Sequence, residues 1–271
     1  MSNIAGKVYL VGAGPGAPDL LTLRAARLLA AADIVLHDAL VHPDTLALAT
    51  RADLVPVGKR CGAHSTAQRF INKRLVDAAH KHALVVRLKG GDPMLFGRAQ
   101  EEIDALRAAG IEFEVVPGIT AALAASAQLG ISLTQRGVAR TMTFVTPRIG
   151  DDEGASDWVE AVLAADTAAI YMGAGQAAAI AASLIARGRP ADTPVVVVRD
   201  ASLSGSTTRA GVLQDLPALC AAPSTPGADG AIAGPAVILL GAALRTAVAA
   251  GELEQCFDRS TVHQLRRQLA G

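Results

Sequence analysis

The chain alternates short apolar runs rich in β-branched residues with longer stretches in which apolar positions recur every three or four residues. The short runs predict buried strands, and the longer stretches predict helices with one apolar face. In the first half, strands are predicted at Val8–Val11, Asp33–Leu36, Leu54–Val57, Val85–Leu88 and Phe113–Val116. Helices are predicted from the N-cap Thr22 to Ala32, over Pro43–Ala49, and from a cap at Ser65 or Thr66 through Leu75. This alternation indicates an α/β protein with a mainly parallel sheet.

A second, less regular series follows Pro117-Gly118. It predicts strands at Thr143–Thr146, Ala168–Met172, Val195–Arg199 and Ala236–Leu240. We therefore expect an N-terminal α/β lobe over residues 1–118, a C-terminal α/β lobe over 119–250 and a polar tail over 251–271. Residues 221–235, rich in Ala, Pro, Gly and Ser, predict a mobile loop.

Composition excludes several classes of function. The net charge is zero, which argues against a nucleic-acid partner, since such binding needs a broad basic face. The three cysteines are far apart and have no metal-ligand spacing, so no metal is expected. No apolar run reaches the ~20 residues of a membrane-spanning helix. The first residues lack the pattern of a signal peptide, and we expect a cytoplasmic protein without a membrane partner.

The segment from Arg87 to Arg98 carries the strongest chemical signal. A buried strand ends at Gly90-Gly91, where the backbone can adopt dihedrals closed to other residues and a ligand can approach closely. Asp92 then supplies a hydrogen-bond acceptor, and Arg98 opens a helical pattern that contains Glu101 and Glu102. A bare turn needs glycine and aspartate but not this many further charges, which favours a binding site.

The turn from Gly12 to Ala17 formally fits the G-x-G-x-x-G/A pattern of dinucleotide-binding proteins, with Asp38 at the end of the next strand. In that fingerprint the helix begins inside the motif and its amides bind the pyrophosphate. Here Pro15 and Pro18 remove two amides, and the helix is predicted to begin only at Thr22. The turn therefore favours an apolar or weakly polar ligand edge over a diphosphate.

Several motifs together resemble one family. Val8–Gly16 with Leu20–Leu23, Val86–Arg98, Val116–Ala121 and Tyr171–Gly173 are similar to the motifs of the tetrapyrrole methylases, which use S-adenosylmethionine. Gly58–Arg60, His64, Gln68 and Ile71-Asn72 resemble one branch, the uroporphyrinogen-III C-methyltransferases. This block distinguishes the branch from diphthine synthases and ribosomal-RNA ribose methyltransferases with related folds. The resemblance runs in order from about residue 7 to residue 245.

The resemblance implies a two-lobed fold with a mainly parallel N-terminal sheet, a mixed C-terminal sheet, an active site in the cleft between the lobes, and a homodimer. It implies two successive methyl transfers from S-adenosyl-L-methionine to C-2 and C-7 of uroporphyrinogen III, through precorrin-1 to precorrin-2. S-adenosyl-L-homocysteine would be the second product, and no metal would take part. Precorrin-2 would feed sirohaem, cobalamin or haem d1 synthesis.

The resemblance also assigns site residues. Asp38 resembles the family's proposed proton acceptor, Lys59 its proposed donor, and Arg98 with Glu101 a substrate-facing pair that spacing of three brings together. An exposed helical ion pair is the plain alternative for that pair. The cofactor-binding residues implied by the resemblance are Pro15, Gly90, Gly91, Asp92, Leu95, Thr120, Ala121, Met172 and Ala201.

Some positions depart from the family pattern: Ala39 follows Asp38 where Arg is common, Ala99 replaces Gly, Gln135 replaces His, and Pro147-Arg148 replaces Gly-His. These departures put the tetrapyrrole side of the site in doubt and leave the cofactor side intact. Three alternatives therefore stay open: another precorrin methyltransferase, a nicotinamide-dependent oxidoreductase, and a noncatalytic tetrapyrrole-binding protein.

Overall fold

The computed structural model describes residues 6–57, 64–150, 154, 156–221 and 234–250, without the side chains of 64–67 and 250. These residues divide into two compact units, one ending at Thr120 and the other beginning at Ala121. The predicted mobile loop falls largely outside the described residues, and the predicted polar tail does so entirely.

The first unit contains a five-stranded parallel sheet in the order β3-β2-β4-β1-β5. Its strands are β1 Lys7–Gly12, β2 Ile34–His37, β3 Asp53–Pro56, β4 Leu84–Lys89 and β5 Phe113–Val116. Its helices are α1 Leu23–Ala31, α2 Pro43–Leu46, α3 His64–Ala79 and α4 Ala99–Ala108. The mainly parallel sheet predicted for this part of the chain is confirmed.

Both faces of this sheet are buried, which explains why its strands are almost continuously apolar. Leu10 and Leu36 pack on one face with residues of α3 and α4, including Leu75. Val11 packs on the other face with residues of α1, including Leu29. Helices on both faces are the arrangement that parallel strands require, because each crossover passes over the sheet.

The second unit contains a five-stranded mixed sheet in the order β6-β7-β10-β8-β9, as the family resemblance implied. Only β6 and β7 pair in parallel, and the other neighbours are antiparallel. Its strands are β6 Met142–Val145, β7 Thr167–Tyr171, β8 Pro194–Arg199, β9 Thr207–Val212 and β10 Ala236–Gly241. Its helices are α5 Ala121–Leu129, α6 Trp158–Ala164, α7 Ala177–Ala186, α8 Leu216–Cys220 and α9 Arg245–Ala250.

Each of the nine predicted strands is confirmed to within one residue at either end. The Thr22 cap is confirmed too, since its Oγ1 accepts a 3.1 Å hydrogen bond from the Ala25 N–H. The helix predicted over Pro43–Ala49 ends at Leu46, because the amides of Leu48 and Ala49 bond three residues back instead of four. In the described ranges, no helix combines the length and apolar character needed to cross a bilayer.

Candidate active site

The carboxyl ends of the five strands in the first unit lie along one edge of its sheet, because the strands are parallel. Ligands of open α/β sheets bind in the crevice outside this edge. The loops that leave β1, β2, β4 and β5 carry most of the predicted site residues to it. These residues are Pro15, Asp38, Gly90, Gly91, Asp92, Leu95 and Thr120.

Backbone contacts join the loops after β1, β4 and β5. The Gly14 N–H donates to the Gly91 carbonyl at 3.2 Å, and the Gly91 N–H donates back at 2.8 Å. A Cβ on Gly118 would lie 2.3 Å from the Gly91 carbonyl oxygen, and a Cβ on Gly12 would lie 2.7 Å from the Gly118 Cα. The three loops therefore meet only because these positions are glycine. Gly91 has a φ of +67°, as expected for a turn that uses left-handed dihedrals.

The carboxylate of Asp92 holds two of these loops in place. Its Oδ2 accepts a hydrogen bond from the Gly118 N–H at 2.9 Å, and its Oδ1 accepts one from the Met94 N–H at 2.8 Å. An ionised carboxylate has about four acceptor sites, so each oxygen retains capacity for a ligand hydroxyl or amine. Asp92 thus has a structural role that the sequence did not reveal, and its role as a ligand acceptor stays a prediction.

The backbone beside Asp92 is open enough to accept a ligand. Among the described residues, a Cβ on Gly90 would meet only the Leu40 Cβ within 4 Å, at 3.6 Å, so their packing does not require glycine there. Leu95 is half-buried and donates its N–H to the Asp92 carbonyl at 3.3 Å. The open backbone at Gly90, the carboxylate of Asp92 and the apolar side chain of Leu95 together suit a nucleoside amino acid such as S-adenosylmethionine, which carries ribose hydroxyls and an amine.

The turn after β1 offers few amides to a diphosphate. The Gly14 N–H is already bonded to Gly91, and Pro15 and Pro18 have none. A short 3₁₀ turn over Pro18–Leu20 follows, and α1 begins at Leu23. The helix N-terminus that a pyrophosphate requires is therefore separated from the glycines, which disfavours the dinucleotide interpretation.

Arg98 and Glu101 contact each other as the spacing predicted. The Arg98 Nε donates to Glu101 Oε1 at 2.6 Å, and Nη2 donates to Oε2 at 2.8 Å. Arg98 does not lie in the helix, however; it is the residue before α4 and has a left-handed φ of +53°. Both side chains are substantially exposed, at 42% and 47%, so as an ion pair they contribute little stability.

The block that resembles the uroporphyrinogen-III branch is connected to Glu101. The buried Gln68 side chain donates from Nε2 to Asn72 Oδ1 at 2.9 Å. Asn72 in turn donates from Nδ2 to the Glu101 carbonyl oxygen at 3.1 Å. These two amide side chains of α3 therefore fix the first turn of α4, which carries the predicted substrate-facing pair.

A buried network of charges lies next to Asp38, and sequence reasoning missed it. Glu102 is fully buried and accepts hydrogen bonds from Arg87 Nε at 2.8 Å and from Lys89 Nζ at 3.0 Å on both oxygens. The Arg87 Nη2 donates to Asp38 Oδ1 at 2.5 Å. The signal for this network was present, since Arg87 and Lys89 alternate in a strand that is otherwise apolar.

Burial and neighbouring charges shift the pKa values of Lys89 and Arg87 in opposite directions. Burial, reinforced by the charge of Arg87, holds the pKa of Lys89 below the usual lysine value. For Arg87, burial is outweighed by Asp38 and Glu102, which raise its pKa further. Arg87 is consequently a permanent positive charge beside Asp38. Lys59, the proposed proton donor, lies outside the described residues.

In the second unit, Met172 and Ala201 lie at one edge of the sheet, beside the start of β10, and Ala121 opens α5. Met172 follows β7 and Ala201 follows β8, and both strands run antiparallel to β10. The Tyr171 hydroxyl accepts a 3.1 Å hydrogen bond from the Ala122 N–H, which ties the start of α5 to the Met172 turn. Met172 is 44% exposed and has a φ of +54°.

The loop that carries Ala201 has an unusual backbone and a buried support. Asp200 and Ser202 have positive φ values, 49° and 75°, although neither is glycine. The buried Gln128 accepts a hydrogen bond from the Ser202 N–H at 3.2 Å and donates to the Ser206 Oγ at 2.9 Å. A satisfied buried amide thus holds a strained loop, which is a common arrangement at ligand sites.

Two departures from the family pattern have structural explanations. The Gln135 Nε2 donates to the Ala243 carbonyl at 3.1 Å and to the Ser132 carbonyl at 3.2 Å, so it anchors its own loop within the second unit. Ala99 is buried in the core formed with α3 and α4, where its methyl group fills space. Nothing in the structure explains Ala39 or Pro147-Arg148.

Comparison with known proteins identifies relatives over most of the chain. The profile of the tetrapyrrole (corrin/porphyrin) methylases matches residues 7–217. Siroheme synthase 1 of Klebsiella pneumoniae subsp. pneumoniae is 49% identical over 212 residues, which is 78% of this chain and 45% of that protein. A siroheme synthase of Pseudomonas fluorescens is 48% identical over 217 residues, covering 80% and 47% respectively. The chain spans about half the length of the curated relatives it matches.

Solved structures match over almost their full length. Uroporphyrin-III C-methyl transferase from Thermus thermophilus, complexed with S-adenyl homocysteine, is 37% identical, with 89% of this chain and 100% of that chain covered at a TM-score of 0.74. A cobalt precorrin-4 methyltransferase is 29% identical, with 90% and 97% covered at a TM-score of 0.74. Together with the profile match, these likenesses show that the chain belongs to the tetrapyrrole (corrin/porphyrin) methylases.

Proposed function

We propose that the chain is an S-adenosylmethionine-dependent C-methyltransferase that converts uroporphyrinogen III to precorrin-2 by two methyl transfers. The observation that carries the proposal is the likeness, over 89% of this chain, to the Thermus uroporphyrin-III C-methyl transferase with its bound S-adenyl homocysteine. The loop with Gly90 and Asp92 supports it independently, because its open backbone and carboxylate suit the same class of ligand.

The proposed cofactor residues have complementary chemistry. Asp92 would accept hydrogen bonds from hydroxyl or amine groups, while Gly90 would allow close approach to the backbone. Met172 would supply a soft, polarisable contact, and its exposed side chain supports such a role. When bound, S-adenosylmethionine supplies an electrophilic methyl group on a sulfonium.

The reaction also requires management of a proton. When a pyrrole carbon forms its bond to the methyl group, the methyl–sulfur bond breaks and the ring gains a positive charge until it releases a proton. Asp38, Lys59 and Glu101 are the proposed acceptor or relay groups. Asp38 is supported by its place at the carboxyl edge of β2 and by the fixed Arg87 beside it.

Arg98 is the proposed contact for a carboxylate of the substrate. Uroporphyrinogen III carries eight carboxylates, as the family resemblance implies, and a guanidinium can bind one of them with two parallel hydrogen bonds. The Arg98 side chain is 42% exposed and is oriented by Glu101, so it can exchange that partner for a ligand.

Anaerobic incubation with S-adenosylmethionine and a panel of substrates tests the proposal against its alternatives. Uroporphyrinogen III should gain two methyl groups by mass. Methylation of a later precorrin, with none of uroporphyrinogen III, would favour another branch of the family, to which the cobalt precorrin-4 methyltransferase likeness is relevant. Tetrapyrrole binding without turnover would identify a noncatalytic protein. A change in NADH fluorescence on addition of the protein would favour a nicotinamide-dependent oxidoreductase.

Two further features are proposed from the sequence, one from the family resemblance and one from the pattern of its first residues. The first is a homodimer, which light scattering coupled to gel filtration can test as a mass of twice the 27.6 kDa chain. The second is a cytoplasmic location, which fractionation can test.

A further inference from the structure

Four charged side chains of the first unit form one connected group, which we call the charge quartet: Arg87, Lys89, Glu102 and Asp38. Two positive and two negative groups balance within it. Arg87 and Lys89 are 2% and 3% exposed, and Glu102 is fully buried. The Asp38 side chain is 30% exposed and is the most exposed member of the charge quartet.

Hydrogen bonds fix the charge quartet in a definite order. Lys89 bonds to both oxygens of Glu102, which prevents the carboxylate from turning, and Glu102 then bonds to Arg87 Nε. The Arg87 Nη1 donates to the Leu88 carbonyl at 3.1 Å and to the Leu36 carbonyl at 3.4 Å. With Nε and Nη1 engaged, the guanidinium has one orientation, and Nη2 is directed to Asp38 Oδ1.

The charge quartet has no simple justification as a source of stability. Taking several charges out of water costs free energy, and a well-packed apolar substitute for a buried ion pair is often equally or more stable. A role in fixing geometry accounts better for the arrangement. Its buried members, Lys89, Glu102 and Arg87, form a chain of hydrogen bonds that ends at the partly exposed carboxylate of Asp38, at the carboxyl edge of the sheet.

We propose that Arg87 is a positioning residue for Asp38, held in place by Glu102 and Lys89, and that it leaves Asp38 Oδ2 as the oxygen that serves the substrate. Within the described part of the chain, Asp38 Oδ1 receives the Arg87 hydrogen bond and Oδ2 receives none. This inference rests on the proposed methyltransferase function and adds the residue that controls the orientation of its proton acceptor. Since arginine stays protonated, the orientation persists across the pH range of turnover.

Kinetics of Arg87→Lys test the proposal. Lysine keeps the charge but lacks the fork that reaches Glu102 and Asp38 together. We expect kcat to fall about 10- to 100-fold, the effect of a small misplacement of a reacting group. The KM for uroporphyrinogen III and the Kd for S-adenosylhomocysteine should stay within about twofold of the parent values. Lys73→Met, which removes an exposed ion pair with Asp77 on α3, is the matched control and should leave kcat unchanged.

A double-mutant cycle separates positioning from a general structural role. In an Asp38→Asn background, Arg87→Lys should lower the single-turnover rate no further, because the group that Arg87 positions has already been removed. Equal losses in both backgrounds would overturn the proposal. So would a parental kcat for Arg87→Lys alone, or a loss of kcat that is matched by lost binding of S-adenosylhomocysteine. If the parent chain itself transfers no methyl group to uroporphyrinogen III, the proposed function fails rather than this inference.

Discussion

Asp92 and Gly118 are 26 residues apart and are joined by a 2.9 Å hydrogen bond, in which the Gly118 N–H donates to Asp92 Oδ2. The same carboxylate accepts the Met94 N–H at 2.8 Å, so one side chain ties the loop after β4 to itself and to the loop after β5. A change at Asp92 therefore alters both the proposed ligand acceptor and the arrangement of the loops around it.

Replacement of Asp92 should weaken binding of S-adenosylhomocysteine. We expect Asp92→Ala to cost about 1–3 kcal/mol, the usual loss when hydrogen bonds to a charged acceptor are removed. Titration calorimetry measures this directly. Asp104→Ala, on the exposed face of α4 where Asp104 is 62% exposed, is the control and should bind as the parent does. Parental affinity of Asp92→Ala would mean that the proposed cofactor pocket is wrong.

Arg98→Ala and Glu101→Ala should each abolish most methyl transfer and leave cofactor binding intact. The reason is that the exposed pair is proposed to contact substrate, and neither residue is among the proposed cofactor residues. Helix α4 offers a matched control, because Arg107 and Asp104 form a second exposed pair with the same spacing. Turnover assays should find Arg107→Ala fully active. If each variant loses only a few-fold in methyl-transfer rate, Arg98 and Glu101 are an ordinary surface ion pair without a substrate role.

The buried Lys89 should make the free energy of unfolding depend on pH in the alkaline range. Burial and the charge of Arg87 lower its pKa in the folded state, while the unfolded chain keeps a value near 10.5. Between these two values the unfolded state binds more protons, so the Lys89 contribution makes stability rise with pH, with a limiting slope of about 1.4 kcal/mol per pH unit. The destabilising effect is full below the folded pKa and disappears as the pH approaches 10.5.

Urea unfolding at several alkaline pH values measures this contribution. The free energy of unfolding of the parent should rise relative to that of Lys89→Met across the window. Lys73→Met, which removes an exposed lysine, should follow the parent instead. Parallel curves for the parent and Lys89→Met would show that Lys89 titrates as it does in the unfolded chain.

Removal of the Gln128 side chain should loosen the loop that carries Ala201. Gln128→Ala removes the side-chain acceptor of the Ser202 N–H and the contact with the Ser206 hydroxyl, at an expected cost of about 1–3 kcal/mol in stability. Amide exchange should increase in residues 200–206 before it increases elsewhere. Gln100→Ala, at an exposed position of α4, is the control. Unchanged exchange in that loop would contradict the supporting role of Gln128.

The strands were predictable because most of them are short apolar runs between helical patterns, and burial on both faces produces that signature. Strand β9 was missed because it lacks that signature. None of Thr207–Val212 is fully buried, since the strand lies at the edge of its sheet and carries polar residues. Helix α5 was also not predicted, because its run of alanines gives no clear polar face.

The charge quartet shows what the sequence could not provide. Glu101 and Glu102 are adjacent and chemically alike, yet Glu101 is exposed and Glu102 is fully buried. Neighbouring helix positions point in directions about 100° apart, and only the packing of α4 on the sheet decides which one turns inward. The partners of Glu102 come from β4, 13 and 15 residues earlier in the chain, so no local pattern identifies the pair.

The stoichiometry of an anaerobic reaction tests the central claim most directly. Purified chain, uroporphyrinogen III and excess S-adenosylmethionine are incubated, and S-adenosylhomocysteine formed and tetrapyrrole mass are followed together. A uroporphyrinogen-III C-methyltransferase should release two molecules of S-adenosylhomocysteine for each tetrapyrrole consumed, with a singly methylated species that appears first and then disappears. Release of no S-adenosylhomocysteine, or of exactly the amount formed without tetrapyrrole, would contradict the account.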